Sequence, residues 1–220
     1  MNLDEDLQDA FATLNAHLRE AHSRARMAEL ASSQRLVDGV RALDNAKTLS
    51  AVLNALSDAA QHEAARTALF VVGNGVLRGW RLHGFADAFD RASEVTLPLE
   101  SDSMIGEAVR TAAAVSPDAA PTQAQRTPPP WGHGRSSIAV PLVVGGETVA
   151  VLYGDLGSNT EADQPPHGPA WQEALELLAR HAARCLEAST AVQTLRVLID
   201  GGVAKALSRG PQGSLLRETA

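Results

Sequence analysis

Cysteine, lysine and aromatic residues are all scarce in this chain of 220 residues. Its only cysteine, Cys185, excludes an internal disulfide and any zinc site built from several cysteines. The two lysines are Lys47 and Lys205, and the arginines are scattered rather than clustered. A nucleic-acid surface needs clustered basic side chains. Since the net charge is also −7, we expect no nucleic-acid partner.

Long apolar runs are missing as well, and none approaches the roughly 18–20 residues that span a bilayer. The chain opens with Asp4, Glu5 and Asp6, whereas a secretory signal peptide opens with basic residues. We therefore expect a cytoplasmic protein with no membrane partner. The preference for arginine over lysine suggests a GC-rich bacterial genome. A Ser–His–Asp arrangement, a P-loop and a dinucleotide-binding fingerprint are also absent, so we expect no enzyme activity, no catalytic residue and no cofactor.

The clearest positive signal is a β-hairpin between Ser136 and Asp155. Two apolar runs rich in β-branched residues flank Gly145 and Gly146, and such a glycine turn is typical of a tight hairpin. Residues 95–99 and 114–115 are expected to be extended, with a short helix between them. These elements indicate a sheet whose strands follow one another closely along the chain.

A second hairpin is predicted around Asn74-Gly75, between strands at 68–72 and 76–85. Side chains alternate between the two faces of a strand, so the later strand is amphipathic. One predicted face holds Leu77, Gly79, Arg81, His83 and Phe85, and the other holds Trp80 and Leu82.

Helical periodicity marks both ends of the chain and the entry to the sheet. Residues 3–34 carry apolar side chains at alternating spacings of four and three, which is a heptad seam. A further pattern covers 34–62, where Thr48 or Ser50 caps a new start. The last helix begins near Pro169 and carries a second seam. Each seam is weak alone, so we expect a homodimer through a bundle of the terminal helices. The alternative is a first helix that lies on its own domain.

The predicted organisation is an α+β fold with an antiparallel sheet and helices packed on one face, plus long N- and C-terminal helices. A dimerisation helix occupies 1–34, the main domain with the long last helix occupies 35–200, and a flexible tail occupies 201–220. The segment from Pro117 to His133 lacks periodicity and is rich in Pro, Ala, Gln and Thr, which predicts a mobile loop.

The order of these elements and the amino-acid sequence of several segments resemble the GAF domain family over about residues 35–190. Two matching segments come first in the chain: the leucine-rich entry helix with Leu49, Val52, Leu53 and Leu56, and the strand Ala68-Leu69-Phe70-Val71-Val72. The third is Leu97-Pro98-Leu99, which precedes a helix with Gly106. The last is the hairpin with Val140-Pro141-Leu142, Gly146 and Val149-Ala150-Val151-Leu152. The resemblance implies a GAF-type fold and a sensory or regulatory module.

Departures from that family narrow the function. The Asn-Lys-x-Phe-Asp run of cyclic-nucleotide-binding GAF domains is absent, and bilin-binding members use a pocket cysteine, whereas Cys185 lies on the last helix. Free-methionine-sulfoxide reductases of this fold need several cysteines. We therefore predict a non-catalytic, dimeric module for small-molecule sensing that acts through a separate signalling partner protein. The alternative is a ligand-free GAF-fold scaffold or adaptor that mediates protein–protein interaction.

A ligand pocket is expected between the sheet and the short helix, under the predicted loop. Arg81 and His83 hold a small anionic ligand or respond to pH if their face points into that pocket. If the face points outward, the two side chains are merely solvated. Arg135, at the start of the hairpin strand, has the same candidate role.

Serines and a tryptophan complete the candidate ligand site. Ser101 and Ser103 cap the short helix, whose backbone N–H groups could receive an anion, and plain capping is the simpler interpretation. Ser137 is expected to converge on the same pocket. Trp131 follows three prolines and either closes over a ligand as a lid or anchors the loop.

His181 and Cys185 lie four residues apart, and therefore on one face of the last helix. A catalytic metal site needs a third protein ligand, and the neighbouring sequence offers none. Packing is thus the preferred interpretation, since a free cysteine behaves as a small buried apolar residue. We expect no metal ion.

Overall fold

A five-stranded antiparallel sheet and four α-helices make up the described part of the protein. The computed structural model describes residues 3–85, 92–99, 102–117, 129, 131–132, 136–157 and 170–208. The helices are α1 (Leu3–Asn45), α2 (Leu49–Ala60), α3 (Met104–Thr111) and α4 (Trp171–Ser208). The strands are β1 (Arg66–Gly73), β2 (Val76–His83), β3 (Thr96–Pro98), β4 (Ser137–Val144) and β5 (Glu147–Asp155), in the order β3-β2-β1-β5-β4.

Both predicted hairpins are confirmed, and their turn residues explain why. Asn74 and Gly75 have φ values of 51° and 75°, and Gly145 and Gly146 have values of 60° and 88°. A two-residue turn of type I′ requires positive φ at both central positions, which glycine and asparagine tolerate best. The two hairpins pair through β1 and β5, which run antiparallel at the centre of the sheet.

A bulge interrupts β2. Leu69 pairs with Arg81 while Phe70 pairs with Gly79, so Trp80 is an extra residue with no counterpart in β1. An extra residue of this kind shifts the alternation of side chains by one position for the rest of the strand. Two residues that are two positions apart, one before the bulge and one after it, therefore point to opposite faces of the sheet.

The bulge overturns the predicted face from Leu77 to Phe85. Leu77 packs on the side of the sheet that carries α3, and so does Phe85, which lies beyond the end of β2 after the positive φ of Gly84. Arg81 and His83 instead contact side chains of α2 on the other side. The prediction was wrong for these two residues because it assumed an unbroken period of two.

The larger core lies between the sheet and α1, α2 and α4. Leu175 and Leu178 of α4 are fully buried against the inner side chains of the central strands, as is Leu43 of α1. Gly39 lets α1 come this close, because a Cβ added there would lie 3.0 Å from the Cβ of Ala59 and 3.1 Å from Cδ2 of Leu178. The first half of the predicted α4 seam is thus used inside the domain.

A smaller core lies on the opposite face, under α3. Phe70, Val151 and Tyr153 of the central strands meet Ile105 and Ala108 of α3 there. Ser103 caps α3, because its Oγ accepts a hydrogen bond of 3.1 Å from the backbone N–H of Gly106. The brief strand predicted at residues 114–115 is present as a bridge between Val115 and Ala139.

The helices differ from the predicted boundaries at two points. α1 is one continuous helix to Asn45 rather than a helix that ends near residue 34, and no proline interrupts the sequence between these positions. Thr48 then caps α2, as one of the two predicted candidates. α4 continues through Gly201 and Gly202 to Ser208, beyond the boundary predicted at residue 200.

Apolar side chains remain exposed along the outer parts of α1 and α4. On α1 they include Phe11, Leu14, Leu18, Met27 and Leu30, and on α4 they include Val192, Leu195 and Val197. Within the described residues, no helix combines the length and the apolar character that crossing a membrane requires. Most of the predicted mobile loop, and the chain after Ser208, lie outside the described residues.

Candidate functional site

Four of the eight aromatic residues of the chain meet on the α3 side of the sheet. The ring of Trp131 stacks on Phe70 with centroids 5.9 Å apart and an angle of 11° between the planes. Its centroid lies 4.8 Å from that of Phe85 and 5.4 Å from that of Tyr153, with both rings tilted. Such offset and tilted arrangements are the favourable ones for aromatic pairs. Trp131 is half-buried and closes this aromatic cluster, which we define as Phe70, Phe85, Trp131 and Tyr153.

A buried ionic network adjoins the aromatic cluster. Arg66 of β1 donates two hydrogen bonds of 2.7 Å to the fully buried carboxylate of Asp155, from Nε to Oδ1 and from Nη2 to Oδ2. The hydroxyl of Tyr153 donates to Oδ2 of the same carboxylate at 2.6 Å, and the backbone N–H of Gly157 donates to Oδ1 at 2.8 Å. The guanidinium of Arg66 also lies over the ring of Phe85, 5.4 Å from its centroid.

The Tyr153 hydroxyl remains a proton donor in this network. Burial raises the pKa of Tyr153 well above its usual value, and the negative charge of Asp155 raises it further. A hydrogen bond from Trp131 acts in the opposite direction. The carboxylate of Asp155 accepts four hydrogen bonds, which fill the roughly four lone-pair positions of a carboxylate. Asp155 therefore has no free position with which to take a proton from a substrate.

Three of the predicted ligand-site residues lie together on the α3 side. Ser103 and Ser137 are both buried, and Trp131 packs in the same core. The hydroxyl of Ser137 points to Sδ of Met104 at 3.9 Å. Ser103 also has the simpler role considered for it, as the cap of α3. Ser101 and Arg135 lie outside the described residues.

Arg81 and His83 are placed on the opposite face, away from Trp131 and Ser137. Arg81 forms an ion pair of 2.6 Å with Asp58 of α2. Nε2 of His83 lies 3.0 Å from Oγ of Ser57. Burial lowers the pKa of His83, the charge of Arg81 lowers it further, and Asp58 acts in the opposite direction. The two side chains join β2 to α2 rather than converging on the predicted pocket.

Sequence reasoning missed the ionic network around Asp155. The hydrogen bond that Asp155 accepts from the N–H of Gly157 is one that a turn-forming aspartate makes. The pairing with Arg66 spans 89 positions of the chain, so no local pattern reveals it. One sequence signal for the network is that Tyr153 and Asp155 lie two residues apart, and so on one face of a strand. Another is that a buried strand elsewhere in the chain begins with an arginine.

A second cluster of chemically versatile side chains lies on the helical side. Oδ1 of Asp44, at the end of α1, is 2.9 Å from Nε2 of His181 in α4. Sγ of Cys185 completes a set whose ligand atoms all lie within 4.8 Å of one another. Burial raises the pKa of the Cys185 thiol and Asp44 raises it further, whereas Lys47 lowers it. The third ligand that the sequence did not offer locally is thus supplied by another helix.

Comparisons with known proteins agree with this architecture. The sequence profile described as "GAF domain" matches residues 46–187, more than half of the chain. Among curated proteins, none matches the sequence at a significant level.

Solved structures show the same fold at low sequence identity. The GAF domain of a phosphoenolpyruvate-protein phosphotransferase from Acinetobacter matches with a TM-score of 0.52 at 15% identity, over 72% of this chain and 94% of that one. A fragment of a methyl-accepting chemotaxis protein matches with a TM-score of 0.50 at 18% identity, over 72% and 98% of the two chains. A free methionine-R-sulfoxide reductase from Neisseria meningitidis in complex with its substrate gives 0.50 at 19% identity, over 76% and 93%.

The antiparallel sheet between a helical layer and a short helix is the GAF fold, as the solved structures show. With the profile match over residues 46–187, the chain belongs to the GAF domain family. The family resemblance and the fold class expected from the sequence are confirmed. Domains of this family are commonly sensory or regulatory.

Proposed function

We propose that this protein is a non-catalytic sensory or regulatory GAF domain, dimeric through its terminal helices, that binds a small molecule beneath Trp131. The aromatic cluster is the observation that supports the proposal most directly. Trp131 covers the rings of Phe70 and Tyr153 on the two central strands and the ring of Phe85, which follows β2. A largely apolar surface with a few polar groups is the usual form of a small-molecule site.

Trp131 can leave this position without disturbing the sheet. It belongs to a turn closed by a hydrogen bond of 2.8 Å from the N–H of Gly132 to the carbonyl of Pro129, and not to a strand. Ring contacts and the hydrogen bond from Trp131 to Tyr153 hold the turn to the domain, and a ligand ring with a polar group could replace them. Binding would then move the turn away from the other rings, which gives an open state of the protein. The ligand shifts the population toward this open state only if it binds the open state more tightly than the closed one.

The chemistry of the site favours a flat, largely neutral ligand. The rings of Phe70, Phe85 and Tyr153 present faces and edges suited to stacking. The anionic ligand expected from the sequence depended on Arg81, His83 and Arg135, and the first two face α2. Arg66 lies near the cluster, but its charge is balanced by Asp155.

The terminal helices supply the proposed route of output. α1 is continuous from the exposed Phe11 to the fully buried Leu43, so a shift in the core can move its outer part. Its contact with α4 near Gly39 and Leu178 couples the two helices. Exposed apolar residues on both helices suit a bundle with a second copy, and the output partner is a separate signalling protein.

The proposal includes no catalysis. Asp155 has all its lone pairs engaged, and Cys185 lies on the helical side of the sheet, away from the aromatic cluster. The second candidate function is a ligand-free adaptor, and a specific observation favours it. Trp131 already fills the space against Phe70, Phe85 and Tyr153, as a permanent part of a core would.

Proton–nitrogen NMR of the full chain distinguishes the two functions. The side-chain N–H groups of its three tryptophans give separate signals, which single Trp→Phe variants assign. Planar heteroaromatic compounds, nucleotides and amino acids serve as probes. A ligand beneath Trp131 should move the Trp131 signal strongly and leave those of Trp80 and Trp171, on the helical side, nearly unchanged.

The outcomes separate sensor from adaptor. A compound that shifts the Trp131 signal saturably, and whose affinity falls in the Phe70→Ala variant, supports the sensor. Binding that moves the Trp80 or Trp171 signal instead would contradict the proposed location. If no compound moves any of the three signals, the adaptor becomes the better function.

A further inference from the structure

Asp44, His181 and Cys185 bring together three different metal-ligand types at one place. His181 and Cys185 are one helical turn apart on α4, so the helix alone holds them on one side. Asp44 comes from the last turn of α1, 137 positions away from His181. Two separate helices therefore fix the set.

The donor set suits a borderline divalent ion. Zinc takes imidazole nitrogen, thiolate sulfur and carboxylate oxygen, and catalytic or exchangeable zinc sites commonly have three protein ligands with one open position. Imidazole with thiolate also disfavours Mg²⁺ and Ca²⁺, which prefer oxygen ligands. The combination selects transition ions of the zinc type.

The geometry is close to what such an ion requires. Ligand atoms at about 2.0–2.3 Å from zinc in a tetrahedron lie roughly 3.3–3.8 Å from one another. The three ligand atoms here lie within 4.8 Å of one another, and the Asp44–His181 pair is at 2.9 Å. Small rotations of the three side chains bring them to the required separations, since His181 and Cys185 are half-buried and Asp44 is exposed.

The surroundings leave access to the ligands. Cys185 and Asp44 line a groove of about 680 Å³ that continues along α4 past Ser189 to Gln193. An ion can enter from this groove, and water or a polar side chain can occupy its remaining position. Lys47 also lines the groove.

We propose that Asp44, His181 and Cys185 form a binding site for a single zinc-type transition ion, with the fourth position open to the groove. The site does not depend on the ligand proposed beneath Trp131. It joins the last turn of α1 to the middle of α4. When the ion binds, the Cys185 thiol loses its proton and binds the ion as a thiolate. The bonds from the ion to Asp44 and His181 take the place of the hydrogen bond between these two side chains.

A bound ion would therefore hold α1 and α4 together, and these are the two helices proposed to transmit the signal to a partner. An ion that binds the folded chain and not the unfolded one raises the stability of the fold. It also restricts the angle between α1 and α4. Metal availability would then alter the helices independently of the aromatic cluster.

Titration of the reduced full-length chain with Zn²⁺ and Co²⁺ tests the site. We expect one ion per chain in native mass spectrometry, a higher melting temperature with Zn²⁺, and the near-ultraviolet sulfur-to-cobalt band of a thiolate-bound Co²⁺. Cys185→Ser should abolish that band. Cys185→Ser, His181→Asn and Asp44→Asn should each weaken Zn²⁺ binding by at least about 100-fold, because even loss of a partner outside the ligand sphere weakens metal binding by 10–100-fold.

Exposed histidines provide the matched control. His17→Asn and His22→Asn, on the exposed part of α1, should leave Zn²⁺ affinity and the Co²⁺ spectrum unchanged. Loss of binding in these control variants, or a Co²⁺ complex without the sulfur band, would show adventitious surface binding and overturn the proposal. Zn²⁺ affinity that is unchanged in Cys185→Ser would do the same. Circular dichroism of each variant checks that the fold is intact.

Discussion

Asp155 shows how a single buried carboxylate can connect the sheet with the aromatic cluster. It pairs with Arg66 of the neighbouring strand and accepts the Tyr153 hydroxyl, whose ring lies against Trp131. Removing one partner of a buried ion pair generally costs about 3–5 kcal/mol, because the other charge is left uncompensated. We therefore expect Asp155 to stabilise the part of the fold that carries the cluster, although it has no free position for chemistry.

The Tyr153→Phe variant should lower the free energy of unfolding by about 1.5–3 kcal/mol, the usual contribution of a hydrogen bond to a charged group. The ring and its packing remain, so the loss reports the hydroxyl alone. Urea unfolding measures the effect. In an Asp155→Asn background the loss should be smaller, because the acceptor is no longer charged. Equal losses in both backgrounds would show that the hydroxyl acts through another group.

His83 should make stability depend on pH. Its pKa is lowered in the folded protein from a reference value of 6.5, so below that value the unfolded chain binds more protons. Stability should therefore fall as pH drops through about 6.5 and level off below the folded pKa. His83→Gln should reduce this pH dependence, measured as melting temperature between pH 5 and 8, and His17→Gln serves as the exposed control. A wild-type curve that rises toward low pH relative to His83→Gln would refute the direction.

Among the elements, β2 contains a glycine whose backbone is packed closely against a neighbouring turn. A Cβ on Gly79 would collide with the backbone carbonyl of Ala92, at the short 3₁₀ turn beside the strand. Gly79→Ala should therefore destabilise the fold by about 1–3 kcal/mol, as overpacking does. Gly73→Ala, at the end of β1, meets no atom within 4 Å and is the matched control. Chemical denaturation compares the two, and equal stability would contradict the close approach.

The elements that the sequence predicted well are those governed by local chemistry. Asn74-Gly75 and Gly145-Gly146 require a particular turn, and Thr48 and Ser103 cap their helices through hydrogen bonds within three residues. The bulge at Trp80 has no such local cause, because it depends on how β2 fits its neighbours. Arg81 and His83 were therefore assigned to the wrong face.

The candidate sites are formed by contacts between residues far apart in the chain, and no local sequence pattern predicts such contacts. Ser103, Ser137 and Trp131 were predicted to come together, and the structure places them in one core. The partners Arg66 and Asp155, and Asp44 and His181, are separated by 89 and 137 positions. Their meeting is a result of the strand order and of the crossing of α1 with α4.

For the whole molecule, the exposed apolar residues of α1 are the main feature that a single chain leaves unexplained. Leu14 and Leu18 are 54% and 49% exposed, although they follow the heptad seam predicted from the sequence. A helix with such a seam is stabilised mainly by packing against other helices. A second copy of the chain, as proposed above, would supply that packing.

The full-length chain should therefore sediment as a dimer at micromolar concentration. Leu14→Glu combined with Leu18→Glu should convert it to a monomer, because two charges would enter the seam of each helix. Ala16→Glu adds a charge to the same exposed helix away from the seam and should leave the dimer intact. Sedimentation velocity measures all three proteins. A wild-type monomer at that concentration would overturn the dimer.

The bulge at Trp80 also has a consequence for solubility. In the described part of the chain, pairing of β2 with β3 ends at Arg78, and the N–H of Gly79 still donates a hydrogen bond of 2.8 Å to the carbonyl of Val95. An unpaired strand edge is a template on which another chain can add its own strand, and bulges and charged side chains are the means by which proteins prevent this. Trp80 interrupts the regular row of edge N–H and C=O groups, and Arg81 adds a charge directly after it. We therefore expect the irregularity that displaced two predicted ligand residues to make the edge beyond Gly79 a poor template for a strand of another chain.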